Sequence, residues 1–311
     1  MIKITEKTGD KTKNKTNSKI SIIFILLAGM LWGCMGLFVR PLSDKGLGSW
    51  DIVFLRAVLT AVFMGVFILI YDRRLFRIKL KDVWCFLGTG LLSIVFFNLC
   101  YFKEITLTSL SVAAILLYTA PAFVMVISSF CFREKLTGRK LISLAFSFTG
   151  LIFVTGVIGD AGKLTAGRLF IGLGAGLGYA LYSIFGRYAI ERGYNSFTIS
   201  FYTFLFATLG TVFFADPVLV VRRAFSSPGR VLFSFAFVLV STVIPYITYT
   251  IGLRSVENGR AAIIASIEPV VATLNGFLWF DEKLSTGSLV GIILVLAGIT
   301  ISNLKPVNKK S

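Results

Sequence analysis

The sequence predicts an all-α membrane protein in which ten transmembrane helices form two inverted repeats of five helices each. Three observations support this fold class: an apolar composition, ten apolar segments of membrane-spanning length, and an alignment of the second half of the chain with the first. Of 311 residues, 56% are hydrophobic and 15% are charged, whereas soluble domains carry about 25% charged residues. The composition therefore argues against a water-soluble fold.

The apolar segments set the number of helices. A bilayer core of about 30 Å requires about 20 helical residues at a rise of about 1.5 Å each. Runs of about that length, bounded by charged or turn residues, cover 20–39, 50–71, 83–102, 107–132, 141–158, 169–186, 196–215, 231–253, 261–280 and 284–303. The polar, Lys-rich residues 1–19 and the short segment 305–311 are predicted to be cytosolic tails.

Charge predicts the orientation of these segments. The net charge of +17 does not indicate a nucleic acid partner, because the basic residues lie in short tracts between apolar segments. If the N-terminus is cytosolic, most lysines and arginines fall in cytosolic loops, in agreement with the positive-inside rule. We therefore expect both termini in the cytosol, although the charge bias weakens in the second half of the chain.

The two halves align without gaps over 101–150 and 249–298, an offset of 148 residues. The offset places Pro121 on Pro269, Gly150 on Gly298, and the polar triplet Glu134-Lys135-Leu136 on Glu282-Lys283-Leu284. With five spans in each repeat, the second repeat enters the membrane from the opposite side, as in carriers that alternate between two conformations. The predicted organisation is a first repeat at 20–158, a linker at 159–168 and a second repeat at 169–304.

The clearest chemical candidate is Glu268, which lies inside the ninth span. An ionised carboxylate there costs about 2.5–3.5 kcal/mol on insertion scales, so it is expected to face a cavity or a partner. Burial would favour its protonated form and suit it to carry a proton. A nearby cation would instead keep it ionised, as a contact for a substrate amine or as part of a structural pair.

Arg56 is the other charge inside a span, and two interpretations stay open. It either extends towards the membrane surface near Asp51, one helical turn away, or faces a vestibule where it holds a substrate carboxylate or Glu268 itself.

Pro121 and Pro269 are the candidate helix breaks. Each lacks a backbone N–H, so the carbonyls of Leu117 and Ala265 lose their helical partners. Such carbonyls can bind a substrate or an ion, and the alternative is a kink that serves packing alone.

Aromatic and small polar residues are predicted to line a central cavity, with helix packing as the alternative for each of them. They are Trp32, Asn98, Tyr101, Tyr118, Tyr179, Tyr182, Tyr246, Tyr249, Ser266 and Asn275. Small residues predict close helix approach at Gly29, Gly33, Gly172 and Gly176. Glu134 and Glu282 suit the N-terminus of a helix, with gating as the alternative role.

These motifs resemble the EamA-type transporters of the drug/metabolite transporter superfamily. Each half of that family carries a Trp-Gly pair, a proline in the fourth helix, an acidic residue after it and a glycine in the fifth helix. Here they are Trp32-Gly33, Pro121, Glu134 and Gly150, then Pro269, Glu282 and Gly298. The chain departs from this symmetry at Tyr179-Ala180, which replaces Trp-Gly, and at Ala120, which replaces the glutamate seen at Glu268.

The resemblance implies a multi-pass carrier of the bacterial cytoplasmic membrane that exports amino acids or other small metabolites. The expected function is secondary transport by alternating access with proton coupling or solute exchange, in a monomer or homodimer. No ATP-binding GxxxxGK[ST] motif is present. No cofactor, metal site or disulfide is predicted, because histidine is absent and the four cysteines lack ligand spacing.

Two other classes of function fit the sequence less well than transport. An intramembrane lipid-modifying enzyme is disfavoured by the lack of histidine, of an HExxH site and of a paired-carboxylate motif. A non-transporting scaffold or sensor is disfavoured because the chain has no soluble domain to pass on a signal.

Overall fold

A computed structural model describes residues 10–156 and 165–304, with side chains from residue 18 onward. The predictions for residues 1–9, for most of the linker and for the last seven residues lie outside the described residues. Within the described part the chain is all-helical and contains no β-strand.

Ten long helices make up the described part of the chain. They are α1 (Ser18–Asp44), α2 (Ser49–Tyr71), α3 (Leu80–Leu107), α4 (Leu110–Cys131), α5 (Gly138–Thr155), α6 (Ala166–Glu191), α7 (Ser196–Thr211), α8 (Pro228–Gly252), α9 (Asn258–Phe280) and α10 (Thr286–Asn303). Their ends differ from the predicted segments by a few residues. A short helix, Pro217–Ala224, precedes α8.

Nine of these helices are long and apolar enough to cross a membrane, so the described chain is a multi-pass membrane protein. The exception is α7, which has 16 residues where 196–215 was predicted as a span. A helix of that length extends about 24 Å, less than the bilayer core of about 30 Å. Membrane crossing by α7 therefore stays a prediction.

Two helices are interrupted next to a proline. α4 is broken at Tyr118 and Thr119, and its second segment begins with Ala120-Pro121. α9 is broken in the same way at Ser266 and Ile267 before Glu268-Pro269. The reason is that proline lacks an N–H but fits the first turn of a helix well, so a new segment begins at each proline.

Helices α3 and α8 carry wider, π-helical turns at Gly88–Val95 and at Leu239–Val243. Such turns are frequently found at functional sites within α-helices. Counted along the chain, the π-helical turns lie in the third and eighth helices and the breaks before a proline in the fourth and ninth, so these two irregularities recur five helices later. The break of α1 at Cys34 and Met35 does not recur, because α6 is continuous.

Glycines hold the interrupted helices close to their neighbours. A Cβ atom on Gly29 of α1 would lie 2.9 Å from the carbonyl oxygen of Ala265, beside the break in α9. One on Gly176 of α6 would lie 2.8 Å from the carbonyl oxygen of Leu116, beside the break in α4. Gly33 packs on α9 and Gly172 on α4 in the same manner. Larger residues at these positions would separate the helices.

The last helices of the two halves pack directly on each other. A Cβ atom on Gly150 of α5 would lie 2.6 Å from the carbonyl oxygen of Gly291, and one on Gly298 would lie 2.8 Å from that of Ser143. The close approach of α5 and α10 therefore depends on residues without side chains.

The bundle has two ends, which we name after the acidic residues found there. At the Glu134 end, Glu134 follows α4 and contacts Asn258 at the start of α9. At the opposite end, the Glu282 end, Glu282 follows α9 and pairs with Arg40 near the end of α1.

Candidate functional site

Two adjoining cavities lie among the helices around Glu268. The larger has a volume of about 230 Å³ and the smaller about 40 Å³. Both are lined by Trp32, Phe97, Tyr118, Tyr179, Tyr246 and Glu268. The larger cavity continues to Ser49 and Phe102 at the Glu282 end, whereas the smaller continues to Ser183 and Ala262 towards the Glu134 end.

Glu268 reaches the cavities because it is the first residue of the second segment of α9. One carboxylate oxygen, Oε2, accepts a hydrogen bond of 2.8 Å from the hydroxyl of Tyr179 in α6. The side chain is partly buried and lines both cavities. The first turn of a helix carries a partial positive charge that stabilises a carboxylate. The break in α9 therefore creates an acidic site that stays open to a solute.

Aromatic rings form the wall beside Glu268. The Trp32 ring lies 5.3 Å from the ring centres of Tyr246 and Tyr249 and 6.4 Å from that of Tyr179. The Tyr249 hydroxyl shares a hydrogen bond of 2.8 Å with Ser183. Trp32 Nε1 is buried and has no hydrogen-bond partner in the described structure. The wall is thus mainly aromatic, as is usual in small-molecule sites.

Arg56 lines the larger cavity, and its side chain is buried. The neighbouring Asp51 accepts hydrogen bonds from the backbone N–H groups of Gly48 and Asp216. Asp51 is thereby held at the start of α2 and forms no ion pair with Arg56 in the described structure. Of the two interpretations of the sequence, the geometry favours the one in which Arg56 faces the vestibule.

At the Glu134 end a set of contacts, which we call the Glu134 gate, joins three helices. Glu134 accepts hydrogen bonds from the backbone N–H groups of Asn258, at 2.7 Å, and Gly259, at 3.2 Å. Lys140 of α5 lies 3.5 Å from Glu134 and 2.7 Å from Glu257. The gate connects α4 and α5 with the start of α9, and its charged groups satisfy N–H groups that the helix itself leaves free.

The Glu282 end has no such closure among the described residues. Glu282 pairs with Arg40, and about half of each side chain is exposed. The N-terminus of α4, which would be the counterpart of Asn258, is capped by Ser109, whose Oγ accepts a hydrogen bond of 3.2 Å from Val112 N–H. The two ends therefore differ although their acidic residues occupy equivalent positions in sequence.

The structure brings most of the sequence candidates to the two cavities. Lining them are Arg56, Glu268, Trp32, Asn98, Tyr101, Tyr118, Tyr179, Tyr182, Tyr246, Tyr249, Ser266 and Pro121. Asn275 does not line either cavity; its Nδ2 donates to the carbonyl of Gly33 and connects α9 with α1. Pro269 is buried at the start of its segment, and the four candidate glycines contact neighbouring helices.

Sequence reasoning missed several cavity residues and the partner of Glu134. Phe97 and Ser93 lie on α3, next to Asn98 and one turn before it. Ser183 follows Tyr179 by one turn of α6, a spacing that places both on the same helix face. That spacing could have identified Ser183. No signal in the sequence joins Glu134 to Asn258, which lies 124 residues away.

A model of the EamA-like transporter family matches the chain at residues 19–156 and again at 167–304. The chain belongs to the EamA-like transporter family. The resemblance noted from the motifs is therefore confirmed. As a member of this family, the protein is a membrane transporter. It lies in a lipid bilayer, and its substrate is a small molecule.

Individual relatives agree with the family. The chain is 29% identical to an uncharacterized transporter of Archaeoglobus fulgidus over 282 residues, which cover 89% of this chain and 94% of the relative. It is 23% identical to the uncharacterized transporter YxxF of Bacillus subtilis, covering 94% and 92%. A solved crystal structure shares the fold with a TM-score of 0.73 at 17% identity, covering 91% of this chain and 96% of that one. The names of the two relatives indicate transporters.

Proposed function

We propose that this EamA-like transporter is a secondary carrier that exports amino acids or related small organic metabolites by alternating access, coupled to protons or to solute exchange. The observation that carries the proposal is the pair of cavities around Glu268, closed at one end of the bundle by the Glu134 gate and extended towards the other end. A site that is closed towards one side and reachable from the other is what such a carrier requires.

The proposed architecture is ten crossings in two inverted five-helix repeats, spanning 20–158 and 169–304. It is supported by the reciprocal packing of α1 on the break in α9 and of α6 on the break in α4. It is supported further by the recurrence, five helices later, of the π-helical turn and of the break before a proline. In this arrangement α7 is the seventh crossing, and the bilayer thins locally or flanking residues extend to match its length.

The proposed location is the cytoplasmic membrane, with both termini and the Glu134 end in the cytosol. The basic loop between α2 and α3 supports this orientation, because it carries Arg73, Arg74, Arg77, Lys79 and Lys81. Loops rich in lysine and arginine remain on the cytosolic side. The structure then corresponds to the state in which the site is reached from outside the cell.

Conversion to the opposite state would exchange the roles of the two acidic residues. The offset of 148 residues pairs Glu134 with Glu282, and Asn258 and Gly259 with Leu110 and Ser111. In the inward-facing state Glu282 is proposed to accept hydrogen bonds from the N-terminus of α4, while Glu134 releases α9. The same contact would then close the carrier first at one end and later at the other.

Glu268 is the proposed coupling residue. Its free oxygen and its position between the two cavities allow it to bind either a proton or the amine of a solute, but not both together. Competition between these two cations for one carboxylate produces proton exchange or solute exchange without a further cofactor.

Proteoliposomes test the proposal. Vesicles are loaded with a radiolabelled mixture of the twenty proteinogenic amino acids, and release is followed with and without a proton gradient. The native chain is expected to release label at least tenfold faster than Glu268→Gln, whereas the exposed acid-to-amide control Asp44→Asn is expected to match the native rate. Release no faster than from empty vesicles, or equal release by Glu268→Gln, would contradict the proposal.

A further inference from the structure

Arg56 is a buried cation that forms no ion pair among the described residues, although it interacts electrostatically with Glu268, which lines the same cavity. Its side chain is 5% exposed, and its one hydrogen bond runs 3.4 Å from Nη1 to the sulfur of Met35. Its Nε is buried and has no hydrogen-bond partner. A buried guanidinium is strongly disfavoured unless an anion compensates it. A structural role alone therefore does not account for this side chain.

Neither nearby carboxylate is positioned as that anion. Asp51 is engaged by the backbone of Gly48 and Asp216, as described above. Glu268 takes its hydrogen bond from Tyr179, and no ion pair joins it to Arg56 in the described structure. Arg56 and Glu268 nevertheless line the same cavity of about 230 Å³.

We infer that Arg56 is the anion-binding residue of the transport site, and that the substrate is a small zwitterion whose carboxylate binds Arg56 and whose ammonium group faces Glu268. This assignment rests on the proposed function and specifies its substrate chemistry. The planar guanidinium offers paired N–H donors that match the two oxygens of a carboxylate.

The charge of the cavity selects a zwitterion over an anion. Arg56 and Glu268 are the arginine and the carboxylate among its described lining residues, and lysine and aspartate do not contribute. A phosphate ester would bring two negative charges to a site that already holds Glu268, whereas a zwitterion complements both residues. The volume of about 230 Å³ is far larger than the roughly 10–15 Å³ of cavity that one water molecule requires. A small amino acid fits this size.

The remaining lining matches the body of such a substrate. Ile52, Val53 and Phe102 provide apolar surface near Arg56. A short hydrocarbon side chain buries its surface there, and the polar ends stay with the two charges.

Thermal unfolding of the purified chain in detergent tests the inference. The probes are the twenty proteinogenic amino acids as a mixture, the same mixture as α-amides, the matching carboxylates without the α-ammonium group, and inorganic phosphate. The amino acids are expected to raise the unfolding temperature of the native chain, and the other three probes are not. Arg56→Gln is expected to bind the amino acids at least tenfold more weakly.

Two further variants keep the test decisive. Arg56→Lys retains the charge and is expected to keep part of the response, which shows that the site is folded. Arg40→Gln removes an exposed arginine and is expected to respond as the native chain does. A native chain that responds equally to amides, to phosphate or to nothing, or an Arg56→Gln chain that responds like the native one, would overturn the assignment.

The outcome separates the inference from the proposed function. Amino acid release by proteoliposomes that does not depend on Arg56 would leave the carrier function standing and remove the assignment of Arg56. Amino acid binding that depends on Arg56 without any release would retain the site and remove transport.

Discussion

Glu134 and Glu282 occupy equivalent positions in the two repeats, yet their surroundings differ. The Glu134 side chain is 6% exposed and accepts hydrogen bonds from two backbone N–H groups of α9. The Glu282 side chain is 50% exposed and pairs with Arg40. The glutamate of the same Glu-Lys-Leu motif is thus buried at one end of the bundle and half-exposed at the other. This difference shows that two equivalent sequence motifs can have different surroundings in one structure, as the alternating-access proposal requires.

The residues around the two motifs are not equivalent. Lys140 supports the Glu134 gate, and the offset of 148 residues places Ser288 at the corresponding position of α10. Among the described residues Glu282 therefore has no buried cation as an ion-pair partner. We expect the Glu134 gate to be the stronger of the two closures and the state with a closed Glu134 end to be the more populated one.

The largest effect is expected from Glu134→Ala. The substitution leaves the N–H groups of Asn258 and Gly259 without acceptors and removes one anionic partner of Lys140. These losses are expected to destabilise the closed Glu134 end by roughly 2–4 kcal/mol. Unfolding in detergent, compared with the native chain, measures the change; an unaltered transition would show that the gate contributes nothing.

Lys140→Met is expected to have the next largest effect. It removes the ion pairs with Glu134 and Glu257 but keeps the hydrogen bonds of Glu134 to α9. The expected loss of stability is roughly 1–2 kcal/mol. Combining Lys140→Met with Glu134→Ala should cost less than the sum of the two, because both act on one cluster. Simple additivity in this double-mutant cycle would argue against a shared gate.

Glu282→Ala is expected to lower the free energy of unfolding by less than about 1 kcal/mol, because an exposed ion pair contributes little. Transport is nevertheless expected to fall at least fivefold, since the inward-facing closure loses its acceptor. Release from proteoliposomes and unfolding are measured on the same preparation. Full transport by this variant would contradict the proposal that Glu282 takes over the role of Glu134 in the inward-facing state.

Arg40→Gln is the smallest change and serves as the reference for Glu282→Ala. It removes the observed partner of Glu282 but not the acidic residue itself, so stability is expected to change by no more than about 0.5 kcal/mol. Transport is expected to stay within twofold of native. A loss as large as that of Glu282→Ala would assign the effect to the ion pair and not to the gate.

Sequence reasoning reached most of the fold because its signals are local. Apolar length located the helices, and the missing N–H of proline located the breaks beside Pro121 and Pro269. The length of α7 was not foreseen, because apolar residues continue beyond its last turn at Thr211 into exposed Val212 and Phe213.

The site was predictable in part for the same reason. Glu268 and Arg56 stand out because charge is rare inside an apolar span. The hydrogen bonds between Asn275 and Gly33 and between Glu134 and Asn258 were not predictable, since both depend on how distant helices approach each other. The different surroundings of Glu134 and Glu282 also could not be predicted from the sequence, because they belong to one conformation of the chain.

Cysteine accessibility tests most directly whether the two cavities open alternately to opposite sides of the membrane. In a chain whose four native cysteines are replaced by alanine, Val53→Cys reports on the larger cavity and Ala262→Cys on the smaller one. With a membrane-impermeant thiol reagent, we predict labelling at position 53 from outside and protection at position 262 from the cytosolic side. Adding Glu134→Ala is predicted to expose position 262 to the cytosol and to protect position 53. If the labelling of both positions does not change when Glu134 is replaced, alternating access controlled by the Glu134 gate is contradicted.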